Sequence, residues 1–155
     1  MLKYHSTYVG FREIPDEISL CINISNCPNK CKECHSPHLL KDVGEALTYS
    51  ELVRLINENT GITCVCFMGG DKEYWEVERL ASAIKGDYNL KLAWYSGDDD
   101  LHDNVNYINF DYVKIGHYDS KYGPLNLKTT NQILFKIDTS LGVCQFVDVT
   151  HKFWK

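Results

Sequence analysis

The chain has 155 residues, enough for one domain that buries roughly 70% of the surface an unfolded chain exposes. Its composition, 44% hydrophobic and 24% charged, is that of a globular protein, and no run approaches the ~20 apolar residues of a membrane span. The net charge of −5, from 16 Lys and Arg against 21 Asp and Glu without a basic stripe, argues against a nucleic-acid partner. The start, Met1-Leu2-Lys3-Tyr4-His5-Ser6, lacks the apolar run of a signal peptide, so a cytoplasmic setting is expected. No internal repeat or linker interrupts the chain, and residues 1–155 are expected to form a single domain.

The first clear element begins at Ile18. Ile18, Leu20, Ile22 and Ile24 alternate with small or polar residues, as on one face of a strand. A cysteine-rich loop follows at once. Thr48-Tyr49-Ser50-Glu51 then reads as a capping box: the Thr48 hydroxyl accepts from the Glu51 backbone, and the Glu51 carboxylate reaches back. Leu47 and Leu52 stand where a hydrophobic staple would place them. Leu52, Val53, Leu55 and Ile56 give this helix its buried side, and Asn59 and Gly61 end it.

Ile62 to Met68 is a second strand, apolar nearly throughout, as a parallel strand covered on both faces should be. Gly69-Gly70 follows it. Trp75, Val77, Leu80, Ala81 and Ile84 form a helical stripe that closes near Gly86. Leu90 to Tyr95 is a third strand, ended by Ser96-Gly97; Tyr112 to Ile115 and Ile133 to Ile137 are a fourth and fifth. The acidic run Asp98-Asp99-Asp100 reads as a solvated turn. This rhythm predicts an α/β fold: a mostly parallel sheet built from βαβ units, forming an open or partial (β/α) barrel. Functional loops are then expected at the C-terminal ends of the strands, where both the cysteine loop and Gly69-Gly70 fall.

An odd count of seven cysteines, unevenly spaced, does not suit a disulfide framework. Three of them, Cys27, Cys31 and Cys34, form a C-x3-C-x2-C loop containing the turn-forming Pro28 and Asn29. Three thiolates so close suit a metal. An iron–sulfur cluster held by three cysteines would keep one iron without a protein ligand, while Cys27, Cys31, Cys34 and His38 would suit a structural zinc. Spacing alone leaves both open, along with reduced surface thiols that hold no metal. Cys64 and Cys66 read as buried packing residues, Cys21 as a structural residue on the polar-facing side of its strand, and Cys144 has no assigned role.

C-x3-C-x2-C after a first strand, with Gly69-Gly70-Asp71 after the second, resembles the radical S-adenosylmethionine superfamily. Asn26-Cys27-Pro28-Asn29, Cys34-His35-Ser36-Pro37-His38, Trp94-Tyr95-Ser96-Gly97 and Thr130-Asn131-Gln132 together resemble the activating enzymes of anaerobic (class III) ribonucleotide reductases. The resemblance implies a partial barrel of radical S-adenosylmethionine type and a [4Fe–4S] cluster on Cys27, Cys31 and Cys34. It implies that S-adenosylmethionine is held by Gly69 and Gly70 at its methionine end, with the backbone of Glu33, Cys34 and His35 bordering the adenine. Asp71 stands where the superfamily often has Glu, and Glu33 where it often has an aromatic. Ser96 and Lys114 are secondary candidates for ribose or carboxylate contacts, with a snorkelling surface lysine as the plainer reading of Lys114.

The implied activity is oxidoreductase chemistry: reductive cleavage of S-adenosylmethionine to make a glycyl radical. The implied partners are the large subunit of an anaerobic ribonucleotide reductase, as glycyl-radical acceptor, and an external electron donor. Two other readings compete, a small radical enzyme acting on a small molecule and a non-enzymatic zinc or iron–sulfur module.

Overall fold

A computed structural model of the protein describes residues 2–25 and 44–154. Its strands are β1 (Lys3–Gly10), β2 (Ser19–Ile24), β3 (Glu45–Ala46), β4 (Cys64–Met68), β5 (Lys91–Tyr95), β6 (Tyr112–Ile115), β7 (Ile133–Asp138) and β8 (Gln145–Asp148). Among the described residues there are two α-helices, α1 (Tyr49–Glu58) and α2 (Tyr74–Asp87). The strands form one open eight-stranded sheet in the order β3-β1-β2-β4-β5-β6-β7-β8.

The class is α/β, but the sheet is mixed where a mostly parallel one was expected. The pairs β2–β4, β4–β5 and β5–β6 are parallel. Those of β1 with β2 and β3, and of β7 with β6 and β8, are antiparallel. Parallel neighbours need a crossover, which α1 and α2 supply on the way to β4 and β5. The flanking strands come by turns and loops, and such connections reverse the chain. Every strand expected from the sequence is present; β1, β3 and β8 are additional.

Alternation along each strand divides the core between two faces. Leu20, Ile22, Ile24, Val65, Phe67, Leu92 and Trp94 pack with Leu52, Leu55 and Ile56 of α1 and Val77, Leu80 and Ile84 of α2. Each such buried aliphatic side chain contributes about 1.5–3 kcal/mol. The opposite face carries Cys21, Cys64, Cys66, Ala93, Tyr112 and Leu134, covered by Ile14 and Val149. Cys21 therefore does not look onto a polar surface, as alternation along its strand suggested; it is fully buried beside Cys66, its register partner.

Half of the expected capping box forms. Thr48 Oγ1 accepts from the Glu51 N–H at 3.1 Å, but the Glu51 carboxylate takes Arg54 Nε at 2.7 Å and the Tyr4 hydroxyl at 3.2 Å instead of reaching back. A guanidinium one turn away is a stronger partner than a backbone amide. Leu47 and Leu52 are buried in the same core. At the C-terminus Phe153 packs on the second core, and Trp154 donates its indole N–H to the Leu125 carbonyl at 3.0 Å. Among the described residues, no helix is long and apolar enough to cross a membrane.

Candidate functional site

Because β2, β4, β5 and β6 run parallel, the residues after their C-terminal ends share one rim of the sheet: Ser25, Gly69, Ser96 and Gly116. Ser25 is anchored there, its N–H donating to the Lys3 carbonyl at 2.9 Å. The expected cluster ligands Cys27, Cys31 and Cys34, with Glu33, His35 and His38, lie outside the described residues.

The Gly69-Gly70 turn is well defined. Both glycines adopt positive φ, 109° and 91°, a region that side chains other than glycine rarely enter. A Cβ on Gly70 would stand 2.6 Å from Val77 Cγ2, and one on Gly69 would stand 3.1 Å from the Ile24 carbonyl oxygen. The turn thus rests directly on the end of β2, at a residue that precedes Cys27 by three positions in sequence.

Strand β5 holds this turn from the other side. Trp94 Nε1 donates to the Gly69 carbonyl at 2.8 Å, and the Gly69 N–H donates to the Tyr95 carbonyl at 3.0 Å. Asp71, with 1% of its side chain exposed, accepts from the Ser96 hydroxyl and, at 2.8 Å, from the Gly97 N–H. Ser96 Oγ in turn accepts from the Asp98 N–H at 3.1 Å. The structure therefore brings Gly69, Gly70, Asp71 and Ser96 together, as expected of a common site. It also shows Asp71 and Ser96 serving each other.

His102 completes the cluster and was not singled out from the sequence. Its Nε2 lies 2.9 Å from Asp98 Oδ2 and 3.3 Å from Asp71 Oδ1. Its ring stacks on Tyr74 and Trp94, with centroids 4.6 and 5.4 Å apart. The acidic run is accordingly more than a solvated turn: Asp98 pairs with His102, and Asp99 with His117 Nδ1 at 2.6 Å. The spacing of His102, four residues after Asp98, was the available signal.

Lys114 is not a surface lysine. It is buried at the end of β6, where its Nζ donates to the Gly116 carbonyl at 3.0 Å and lies 5.5 Å from the centroid of the Tyr95 ring. Here the helix-free face of the sheet opens into a cleft of about 1090 Å³, lined in part by Tyr8, Phe11, Arg12, Tyr95, Tyr118 and Phe153. Burial, reinforced by the nearby Cys66, Glu13 and Cys21, raises the Tyr95 phenol well above its ordinary range. Its hydroxyl donates to the Glu13 carbonyl.

The Cys64 and Cys66 thiols on this face of the sheet are buried. Burial pushes Cys64 up to about 12 and raises Cys66 well above the ordinary thiol value. Neither belongs to a metal-competent group; among the described residues, the one group of three with that geometry is Asp71, Asp98 and His102. No family model, curated protein or solved structure matches the chain.

Proposed function

We propose that this chain is a radical S-adenosylmethionine activase that generates a glycyl radical on an anaerobic ribonucleotide reductase. One observation carries the reading furthest: a glycine turn pinned at the C-terminal rim of the parallel strands, resting on Ile24 just ahead of the cysteine segment in sequence. Ile24 and the turn are distant in sequence, and the register of β2 on β4 brings the end of β2 beside the turn.

The residues present suit the cofactors. Cys27, Cys31 and Cys34 offer soft sulfur ligands for a [4Fe–4S] cluster. The carbonyls of Gly69 and Gly70 each accept one bond, from Trp94 Nε1 and from the Glu73 N–H, and a carbonyl oxygen has a second lone pair for an ammonium group. When bound, cluster and S-adenosylmethionine supply one-electron cleavage of the S–C5′ bond and removal of a hydrogen atom from glycine. The chain's own part is to orient. Asp71, Ser96 and Trp94 hold the turn that would meet the methionine end, so its dipoles are set before the ligand arrives.

A small open sheet suits a macromolecular substrate that completes the enclosure, and so favours a reductase over a small molecule. The test is anaerobic incubation of the reduced, iron-loaded chain with S-adenosylmethionine and a class III reductase large subunit. The expected result is methionine and 5′-deoxyadenosine together with a glycyl-radical doublet in the electron paramagnetic resonance spectrum. Cleavage without that radical, in the presence of a competent reductase, would shift the reading to a small-molecule enzyme. No cleavage at all would remove it.

A further inference from the structure

We infer that His102 is the positioning residue that locks the Gly69–Asp71 turn onto β5, and that the affinity for S-adenosylmethionine depends on its hydrogen bonds. The inference rests on the function proposed above and extends it to a residue outside the glycine turn and the cysteine segment.

Three ties join the turn to β5: Trp94 Nε1 to the Gly69 carbonyl, the Gly69 N–H to the Tyr95 carbonyl, and Asp71 to Ser96 and Gly97. His102 touches two of them. Its ring stacks on Trp94 at an interplanar angle of 14° and on Tyr74 at 18°, so the imidazole is held as a slab between β5 and the first residue of α2. Its edge then points Nε2 at Asp71 and Asp98. Asp71 is a carboxylate, which accepts, so in this hydrogen bond Nε2 is the donor, with Asp98 Oδ2 an ion-pair neighbour 2.9 Å away. The His102 backbone is fixed as well, its N–H donating to the Tyr107 hydroxyl at 2.8 Å.

The consequence is directional. Asp71 Oδ1 receives Ser96 Oγ and His102 Nε2, while Oδ2 receives the Gly97 N–H. Removing the histidine donor takes one hydrogen bond from a buried carboxylate that keeps Ser96 and Gly97. It is then drawn toward other donors, and the two glycines before it move with it, because glycine has other backbone states open to it. Asp71, Asp98 and His102 also lie within 4.8 Å of one another, as metal ligands would. Their bonding to one another, and that of Asp71 to Ser96 and Gly97, suits a lock instead.

The test compares wild type with His102→Phe, which keeps the stacked ring and removes the donor, and His102→Gln, which keeps a donor at the Nε2 position and removes the ring. Dissociation constants for S-adenosylmethionine are measured by anaerobic equilibrium dialysis on iron-loaded protein, alongside iron content. The expected outcome is about tenfold weaker binding by His102→Phe, most of it recovered in His102→Gln, with iron content unchanged in both. Wild-type affinity in His102→Phe, or equal loss in the two variants, overturns the inference while leaving the proposed function standing. Failure of the wild type to bind S-adenosylmethionine removes both. If His102→Phe does not fold, His102→Leu against His102→Gln reads the donor alone, and equal affinity of the two variants overturns the inference.

Discussion

Trp94 and Gly69, 25 residues apart, are joined by a 2.8 Å hydrogen bond from the indole N–H to the glycine carbonyl. The donor is fully buried on β5, and the acceptor belongs to the turn that follows β4. A large core side chain thus fixes the backbone of the turn proposed to hold the cofactor.

Replacing Trp94 by Phe keeps most of the apolar volume and removes the N–H. The expected cost is about 1 kcal/mol, the net worth of one hydrogen bond to a part-buried acceptor. Chemical denaturation under anaerobic conditions measures it. A stability equal to wild type would show that the Gly69 carbonyl has other partners of equal strength.

Gly70 and Gly61 allow a paired test of steric against conformational demand. Both have positive φ, 91° and 87°, but a Cβ on Gly70 meets Val77 at 2.6 Å, whereas none on Gly61 meets an atom within 4 Å. Gly61→Ala is expected to cost about 1 kcal/mol from backbone strain alone. Gly70→Ala adds overpacking of about 1–3 kcal/mol and displaces the turn. Thermal unfolding of the two variants checks the order, and S-adenosylmethionine binding is expected to fall in Gly70→Ala alone.

Cys64 sets an alkaline limit on stability. Its folded value is about 12 against an ordinary 9.0, chiefly because burial penalises the thiolate. The stabilisation from keeping this thiol neutral is complete below pH ~9 and is lost as pH rises toward 12, at about 1.4 kcal/mol per pH unit. Cys64→Ala is therefore expected to be less stable at neutral pH through its cavity, yet to lose less stability than wild type between pH 9 and 11. Parallel curves for the two proteins would contradict the burial account.

Thiol labelling separates the cysteines in another way. Cys144 is partly exposed, whereas Cys21, Cys64 and Cys66 are buried. Native protein treated with a maleimide near pH 7 is expected to modify Cys144 and to spare the three strand thiols until denaturant is added. Peptide mass spectrometry reads the sites. Rapid modification of Cys66 in the native state would show that the second core opens readily.

The sequence made the central strands legible because each is a short apolar run bounded by turn residues, and Thr48 announced α1 with its own cap. β1 was not legible. Among its residues only Tyr4 and Gly10 are buried, so no two-residue alternation stands out, and its place is fixed by pairing with β2 and β3. β8 is a four-residue edge strand with no buried residue, held by β7. The antiparallel flanks follow from such long-range pairings, which a local pattern does not encode. In the site, Gly69, Gly70 and Asp71 stood out as a motif. His102 did not, because its partners come from the turn after β4, the loop after β5 and the start of α2, and only folding brings these together.

The central claim is that Cys27, Cys31 and Cys34 hold a [4Fe–4S] cluster with an iron open to S-adenosylmethionine. Its most direct test is anaerobic purification with iron, sulfide and zinc analysis, combined with electron paramagnetic resonance of the reduced protein before and after S-adenosylmethionine is added. The account predicts about four irons per chain, lost on Cys27→Ala, Cys31→Ala or Cys34→Ala, and a reduced-cluster signal that changes when S-adenosylmethionine binds. One tightly held zinc, no iron after reconstitution and no spectral response would contradict it and leave a zinc-stapled binding module.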